Sequence, residues 1–185
     1  MPSPNFRAGR REAITHVVLH TTEGGLSGSL AALTDPYRDS RVSAHYVVSE
    51  DAIYQLVDDN DEAWHAGNAN RYSIGVEIVG EASNPATWTD RIVENVSKLS
   101  AWLSTEYGIP LQYREESSEP ARARGYVAHG ALDPERRYDP GPWLPWPKIK
   151  ERALFLIGGA PTPPGAPGAV VAVLLVALGL AWVIR

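Results

Sequence analysis

Apolar positions fall in short blocks along the first 150 or so residues, each closed by a polar turn signal. Ile14 to Leu19 is a short apolar run and reads as a buried strand. Val42 to Val48 and Ile53 to Val57 are two more runs, split by the polar turn Ser49-Glu50-Asp51, and read as a hairpin. Ser73 to Val79 reads as a fourth strand and Tyr126 to Ala128 as another short one. From Asp90 to Tyr107 the period changes. Ile92, Val93, Val96, Leu99 and Leu103 recur at helical spacing, the segment starts near Thr89, and it stops at Gly108. A shorter helix is predicted to start after Pro147. Strands mixed with helices predict an α/β fold, a mixed central β-sheet flanked by helices.

Beyond Gly158 the pattern is different. Gly159 to Gly168 reads Gly-Ala-Pro-Thr-Pro-Pro-Gly-Ala-Pro-Gly, a linker in which proline blocks regular structure and nothing asks to be buried. Gly168 to Ile184 is an uninterrupted apolar run of 17 residues closed by Arg185. As a helix it spans about 25 Å, slightly short of a hydrocarbon core of about 30 Å. It lacks the polar stripe of a helix packed on a domain. The expectation is a catalytic domain over 1–158, a linker over 159–168 and a C-terminal transmembrane helix over 168–185. Met1 to Arg11 is polar and basic, without the apolar centre of a cleavable secretory signal. Lys148, Lys150 and Arg152 lie before the apolar run and Arg185 alone after it, which predicts a domain that starts on the cytoplasmic side of the membrane.

Composition narrows the chemistry. The chain has 185 residues, enough for one ordinary core, and a net charge of -5, which speaks against a nucleic-acid partner. Its one arginine-rich stretch, Arg114 to Arg124, is interrupted by Glu115, Glu116 and Glu119 and reads as a solvated loop. There are no cysteines, so disulfides and thiolate metal sites are excluded, and histidine and carboxylate are the remaining good zinc ligands.

Five histidines are present: His16, His20, His45, His65 and His129. His16 and His20 share one run, four apart, and on a strand that spacing is about 13 Å, too far for one metal ion. His20 ends the run and is the better ligand; His16, mid-run, reads as a structural or surface residue. His129 also ends a short apolar run, and ten residues later Asp139 sits in Tyr138-Asp139-Pro140-Gly141-Pro142, a turn stiffened by proline. Two histidines and one carboxylate would leave a tetrahedral zinc open at its fourth position, the pattern of a catalytic site. Spacing alone does not establish it, because any chain of this size has a few such residues at strand ends. Glu77 lies inside an otherwise apolar strand. Either the strand is at an edge and Glu77 faces water, or Glu77 is a general base whose pKa is raised by burial.

Several motifs together resemble one family. His20-Thr21-Thr22-Glu23-Gly24, Val42-Ser43-Ala44-His45, Trp64-His65-Ala66-Gly67, Ser73-Ile74-Gly75-Val76-Glu77 and Asp139-Pro140-Gly141 occur in the order and approximate spacing of the zinc N-acetylmuramoyl-L-alanine amidases. That family includes phage endolysins, wall-recycling anhydromuramyl amidases and animal peptidoglycan recognition proteins. The resemblance implies one zinc ion held by His20, His129 and Asp139, with Glu77 as the base. It implies a substrate-facing loop with Trp64 and His65, and His45 as a further substrate contact. Arg137 stands where the nearest members usually have Lys and is the expected helper of an oxyanion, although the two cations differ in shape and hydration. Some phage members have a catalytic Tyr where this chain has Ala44, which leaves more of the work to Glu77. The implied partner is peptidoglycan and the implied activity is cleavage between N-acetylmuramic acid and L-alanine by a monomer. The setting is that of an endolysin with an added membrane anchor; the alternatives are a soluble recycling enzyme and a non-catalytic binding module.

Overall fold

The computed structural model describes residues 2–115 and 123–158. In chain order the elements are β1 (Phe6–Arg7), β2 (His16–Thr21), α1 (Leu26–Thr34), β3 (Tyr46–Val48), β4 (Ile53–Gln55), β5 (Glu62–Ala63), β6 (Ser73–Ile78), α2 (Asp90–Tyr107), β7 (Tyr113–Arg114), β8 (Gly125–Ala128), α3 (His129–Leu132) and α4 (Trp146–Gly158). Six strands form one sheet in the order β4-β3-β6-β2-β8-β7, and β1 pairs with β5 in a separate ribbon. Every pairing in the large sheet is parallel except that of β3 with β4.

The central strands are buried along their length, which is why they read as continuous apolar runs. Alternation still decides which side chain faces which layer. Val17 and Leu19 of β2 join Ile74, Val76 and Ile78 of β6, Tyr46 and Val48 of β3 and Tyr126 of β8 in the main core. Val18 packs with Val127 on the opposite face. His20, two residues after Val18, belongs to that opposite face, and its register partner across the ladder is Glu77.

Helix α2 closes the main core with Ile92, Val93, Val96, Leu99 and Leu103, all buried. Burying each such side chain contributes about 1.5–3 kcal/mol before chain entropy is counted. Thr89 caps it by accepting the Ile92 N–H, and Gly108 ends it in the left-handed region at φ 60°. Helix α4 lies against α2 through buried Trp146, Ile149 and Ala153. Ion pairs Lys148–Asp90 and Arg152–Glu94, both at 2.7 Å, line the seam. Open to solvent, such pairs add little to stability.

The predicted mixed sheet with flanking helices is present, with differences of detail. Of the run Val42 to Val48 only Tyr46–Val48 is strand. The Ser43 N–H turns to the Trp64 carbonyl instead of continuing a ladder. Helix α1 carries no clear period in the sequence: it has nine residues, Gly28 and three polar residues among them, and no side-chain cap. Its Leu26, Leu30 and Leu33 nevertheless pack on Val47 and Leu56. The two-residue strands β1, β5 and β7 and the single turn α3 are too short to carry a period. The linker 159–168 and the expected transmembrane segment 168–185 lie outside the described residues. Among the described residues no helix is long and apolar enough to cross a membrane.

Candidate active site

The end of β2, the start of α3 and the loop that follows converge at one point. His20 Nδ1 lies 3.0 Å from His129 Nδ1 and 3.2 Å from Asp139 Oδ2, and His129 Nδ1 lies 3.1 Å from Asp139 Oδ2. All three residues are buried. The Gly130 N–H donates to the Asp139 carbonyl at 2.9 Å, clasping the two ends of the loop together. Gly141 follows the Asp139-Pro140 turn at φ 80°, and a Cβ there would stand 2.3 Å from the Ala82 carbonyl oxygen, so the turn requires glycine.

Three donor atoms at mutual distances of 3.0–3.2 Å form a nearly equilateral triangle. Ligands about 2.0 Å from a tetrahedral zinc ion stand about 3.3 Å apart, so the triangle fits one face of such a site. The protonation states fit as well. Burial lowers the pKa of His20 to about 4, leaving its imidazole neutral at pH 7. Burial works against the Asp139 carboxylate, but the adjoining imidazoles of His129 and His20 outweigh it and hold the group well below the usual carboxylate range. A neutral imidazole and an ionised carboxylate are the forms that bind metal.

Glu77 does not face water from an edge: β6 is flanked by β3 and β2. Its Oε2 is buried, with no hydrogen-bond partner among the described residues. Burial, reinforced by the negative charge of Asp139, pushes its carboxyl up to about 8. It can therefore hold or release a proton near neutral pH.

These groups line one cavity of about 300 Å³ together with Arg137, Trp64, His65 and Glu23. Arg137 is exposed, and its backbone N–H donates to the Asp133 carbonyl. Trp64 is half-buried, with the Arg41 guanidinium 5.2 Å above its ring. His65, also partly buried, has its Nδ1 3.1 Å from Nε2 of His20. The structure does not bring His45 to the cavity. It is fully buried, its Nδ1 accepts the Gly75 N–H at 2.9 Å, and its Nε2 meets the Asp61 carbonyl at 3.2 Å. That is the environment of a residue fastening β3 to β6, not of one presented to a substrate. His16 is buried against Tyr72, with ring centroids 5.2 Å apart, away from the triangle.

Glu23 and Arg38, to which the sequence motifs assign no role, also line the cavity. Glu23 is held at φ 53°, a region that costs a non-glycine residue on the order of 1–3 kcal/mol. Its Oε1 accepts from Thr21 Oγ1 and the Ala82 N–H, and its Oε2 from the Tyr138 hydroxyl. One carboxylate thereby ties together the end of the strand that carries His20, the loop after the strand of Glu77 and the loop that carries Asp139. A short polar loop carries no sequence signal for such a tie, because two of its three partners are 59 and 115 residues away.

A family model described as N-acetylmuramoyl-L-alanine amidase matches residues 10–142. N-acetylmuramoyl-L-alanine amidase A of Achromobacter lyticus is 32% identical over 142 residues, which cover 70% of this chain and 77% of that protein. A crystal structure of a selenomethionine derivative of AmpD superposes with a TM-score of 0.66 at 28% identity, over 82% of this chain and 92% of that one. The N-acetylmuramyl-L-alanine amidase AmiD of Escherichia coli, solved with the substrate anhydro-N-acetylmuramic acid-L-Ala-D-γ-Glu-L-Lys, superposes with a TM-score of 0.60 at 26% identity. That match covers 79% of this chain, which spans 60% of the AmiD chain. With its fold and most of its length matched in this way, the chain belongs to the N-acetylmuramoyl-L-alanine amidase family and is an amidase.

Proposed function

We propose that the chain is a zinc-dependent amidase that hydrolyses the bond between the lactyl carbonyl of N-acetylmuramic acid and the nitrogen of L-alanine. The observation that carries this is the triangle of His20 Nδ1, His129 Nδ1 and Asp139 Oδ2 in the same cavity as Glu77, whose Oε2 is buried and unpartnered among the described residues. His20, His129 and Asp139 would hold the ion. When bound, zinc supplies Lewis acidity, making water more acidic and a carbonyl more electrophilic.

The chain's own groups account for the rest. Glu77 takes a proton from the attacking water at its carboxylate and returns it to the alanine nitrogen as the C–N bond breaks. Arg137 brings a fixed positive charge to the cavity, where the carbonyl oxygen becomes negative as water adds. Trp64, half-buried at the cavity wall, offers an apolar surface to the sugar or peptide. No nucleophilic side chain is required, so the products are a free lactyl carboxylate and a new alanine amino terminus.

Two settings share this chemistry. A phage endolysin acts on intact wall, with the C-terminal segment as a membrane anchor; a muropeptide amidase acts on released fragments. The bound substrate of AmiD, an anhydromuramyl tripeptide, favours fragments for this chain as well. The test of the chemistry is product analysis with metal control. Digestion should release new amino-terminal L-alanine and no new reducing sugar, stop with chelator and resume with zinc. His20→Ala and Asp139→Ala should each abolish zinc binding and turnover. New reducing ends without free alanine, or full activity after demetallation, would overturn the proposal. Comparing intact sacculi with soluble anhydromuropeptides then separates the two settings.

A further inference from the structure

The His65 ring lies directly against the backbone of Gly75. A Cβ on Gly75 would stand 2.5–2.7 Å from three atoms of the His65 imidazole, so only glycine lets the ring lie there. The loop is pinned as well: the backbone N–H groups of His65 and Ala66 both donate to Asn70 Oδ1, at 3.1 and 2.7 Å. In this seat His65 Nδ1 lies 3.1 Å from His20 Nε2, and His65 Nε2 lies 3.4 Å from Ser73 Oγ. Ser73 Oγ in turn lies 2.6 Å from the Ala69 carbonyl oxygen and is fully buried.

Taken as hydrogen bonds, these contacts allow the protons one arrangement. A carbonyl oxygen can only accept, so the Ser73 hydroxyl must donate its single proton to Ala69. Its oxygen can then only accept from His65, which puts the His65 proton on Nε2 and leaves a lone pair on Nδ1. That lone pair must be met by a donor, so His20 carries its proton on Nε2. A neutral imidazole has one such proton. His20 Nδ1 is therefore bare, and it is this atom that faces His129 Nδ1 and Asp139 Oδ2.

We propose that His65 is a positioning residue: with Ser73 and the Ala69 carbonyl it locks His20 in the Nε2-protonated tautomer and so presents Nδ1 to the metal. This deepens the zinc reading and rests on it for its functional meaning. A metal-bound imidazole generally needs a partner on its second nitrogen, and losing that partner weakens metal binding by on the order of 10–100-fold. His65 thus serves the reaction through His20, in addition to any contact its loop makes with substrate.

The test uses the full chain and three variants. In ¹⁵N-edited NMR of the labelled, metal-free parent, His20 should be protonated at Nε2 and bare at Nδ1. His65→Leu removes the acceptor at similar bulk; His20 should then become a mixture of tautomers, and the zinc Kd, measured by competition with a chelator, should rise on the order of 10–100-fold. His65→Asn places an oxygen acceptor near the former Nδ1 and should recover most of that loss, which a residue needed only to fill space would not do. Ser73→Ala should give an intermediate effect, and it carries the test if His65→Leu fails to fold. If the parent binds zinc but His65→Leu binds it equally tightly, the relay is overturned while the zinc reading stands. If the parent binds no zinc the zinc reading fails, and the His20 tautomer in the metal-free protein still decides the relay: a proton on Nδ1 refutes it.

Discussion

Replacing Glu77 by Gln removes a proton carrier and also relieves a strain on the fold, and the two effects can be measured separately. The side chain keeps its size and one oxygen. In the folded, metal-free protein the carboxyl titrates at about 8, against 4.5 for the unperturbed group, because burial and the charge of Asp139 disfavour ionisation. The folded state therefore binds more protons than the unfolded state between these values. Glu77 costs no stability below about pH 4.5, a growing amount as the pH rises, at up to about 1.4 kcal/mol per unit, and a constant amount above about pH 8. The residue is only partly enclosed at the cavity wall, so a discounted cost of about 1–3 kcal/mol at pH 7.5 is expected. Gln carries no such cost. Urea denaturation of metal-free parent and Glu77→Gln should give equal stabilities near pH 4.5 and an advantage for the variant that widens toward pH 8. Turnover of the zinc-loaded variant should fall by about 10²–10⁴, the contribution of a general acid–base group, with zinc still bound. Parallel stability curves across this range would refute the buried, shifted carboxyl. An unimpaired turnover would place the base elsewhere.

Other outcomes follow from the same geometry. Arg137→Lys should keep most of kcat, because either cation supplies the charge, whereas Arg137→Ala should lower kcat at an unchanged zinc Kd; steady-state kinetics and chelator competition distinguish them. Burial, with the Arg10 guanidinium beside it, lowers the pKa of His45 to about 3, so the folded protein resists protonation that the unfolded chain accepts near pH 6.5. The stability this gives is complete above about pH 6.5 and is lost as the pH falls toward 3. His45→Asn, which can still accept the Gly75 N–H, should flatten the acid limb of a urea-midpoint profile by up to about 1.4 kcal/mol per pH unit; an unchanged limb would contradict it. A chain ending at Gly159 keeps the buried face of α4 and should fold, bind zinc and cleave soluble muropeptides at the parental rate, while moving from the membrane to the soluble fraction. Full-length protein that is soluble without detergent would remove the case for an anchor.

Much of this protein is local information, and the sequence by itself determined it. Helix α2 announces itself because 18 residues carry its period, with Thr89 and Gly108 as stop signals at its ends. The central strands announce themselves because a parallel strand buried on both faces must be apolar throughout. His20, His129 and Asp139 were legible as candidates because each ends an apolar run or sits in a proline-stiffened turn, and the ordered motifs made them a set. What the sequence could not decide is which of two faces a residue meets, and what waits there. The same burial that makes Glu77 a proton carrier makes His45 a structural pin, and nothing in either local pattern separates them. The order β4-β3-β6-β2-β8-β7 separates them: it puts Glu77 beside His20 in an interior ladder and seals His45 behind Gly75 and Asp61. Contacts such as Glu23 with Tyr138, or His65 with His20, join residues 115 and 45 positions apart. Their strength depends on distances of a few ångströms that only the packed sheet sets, so they exist in the tertiary structure and leave no period in the chain.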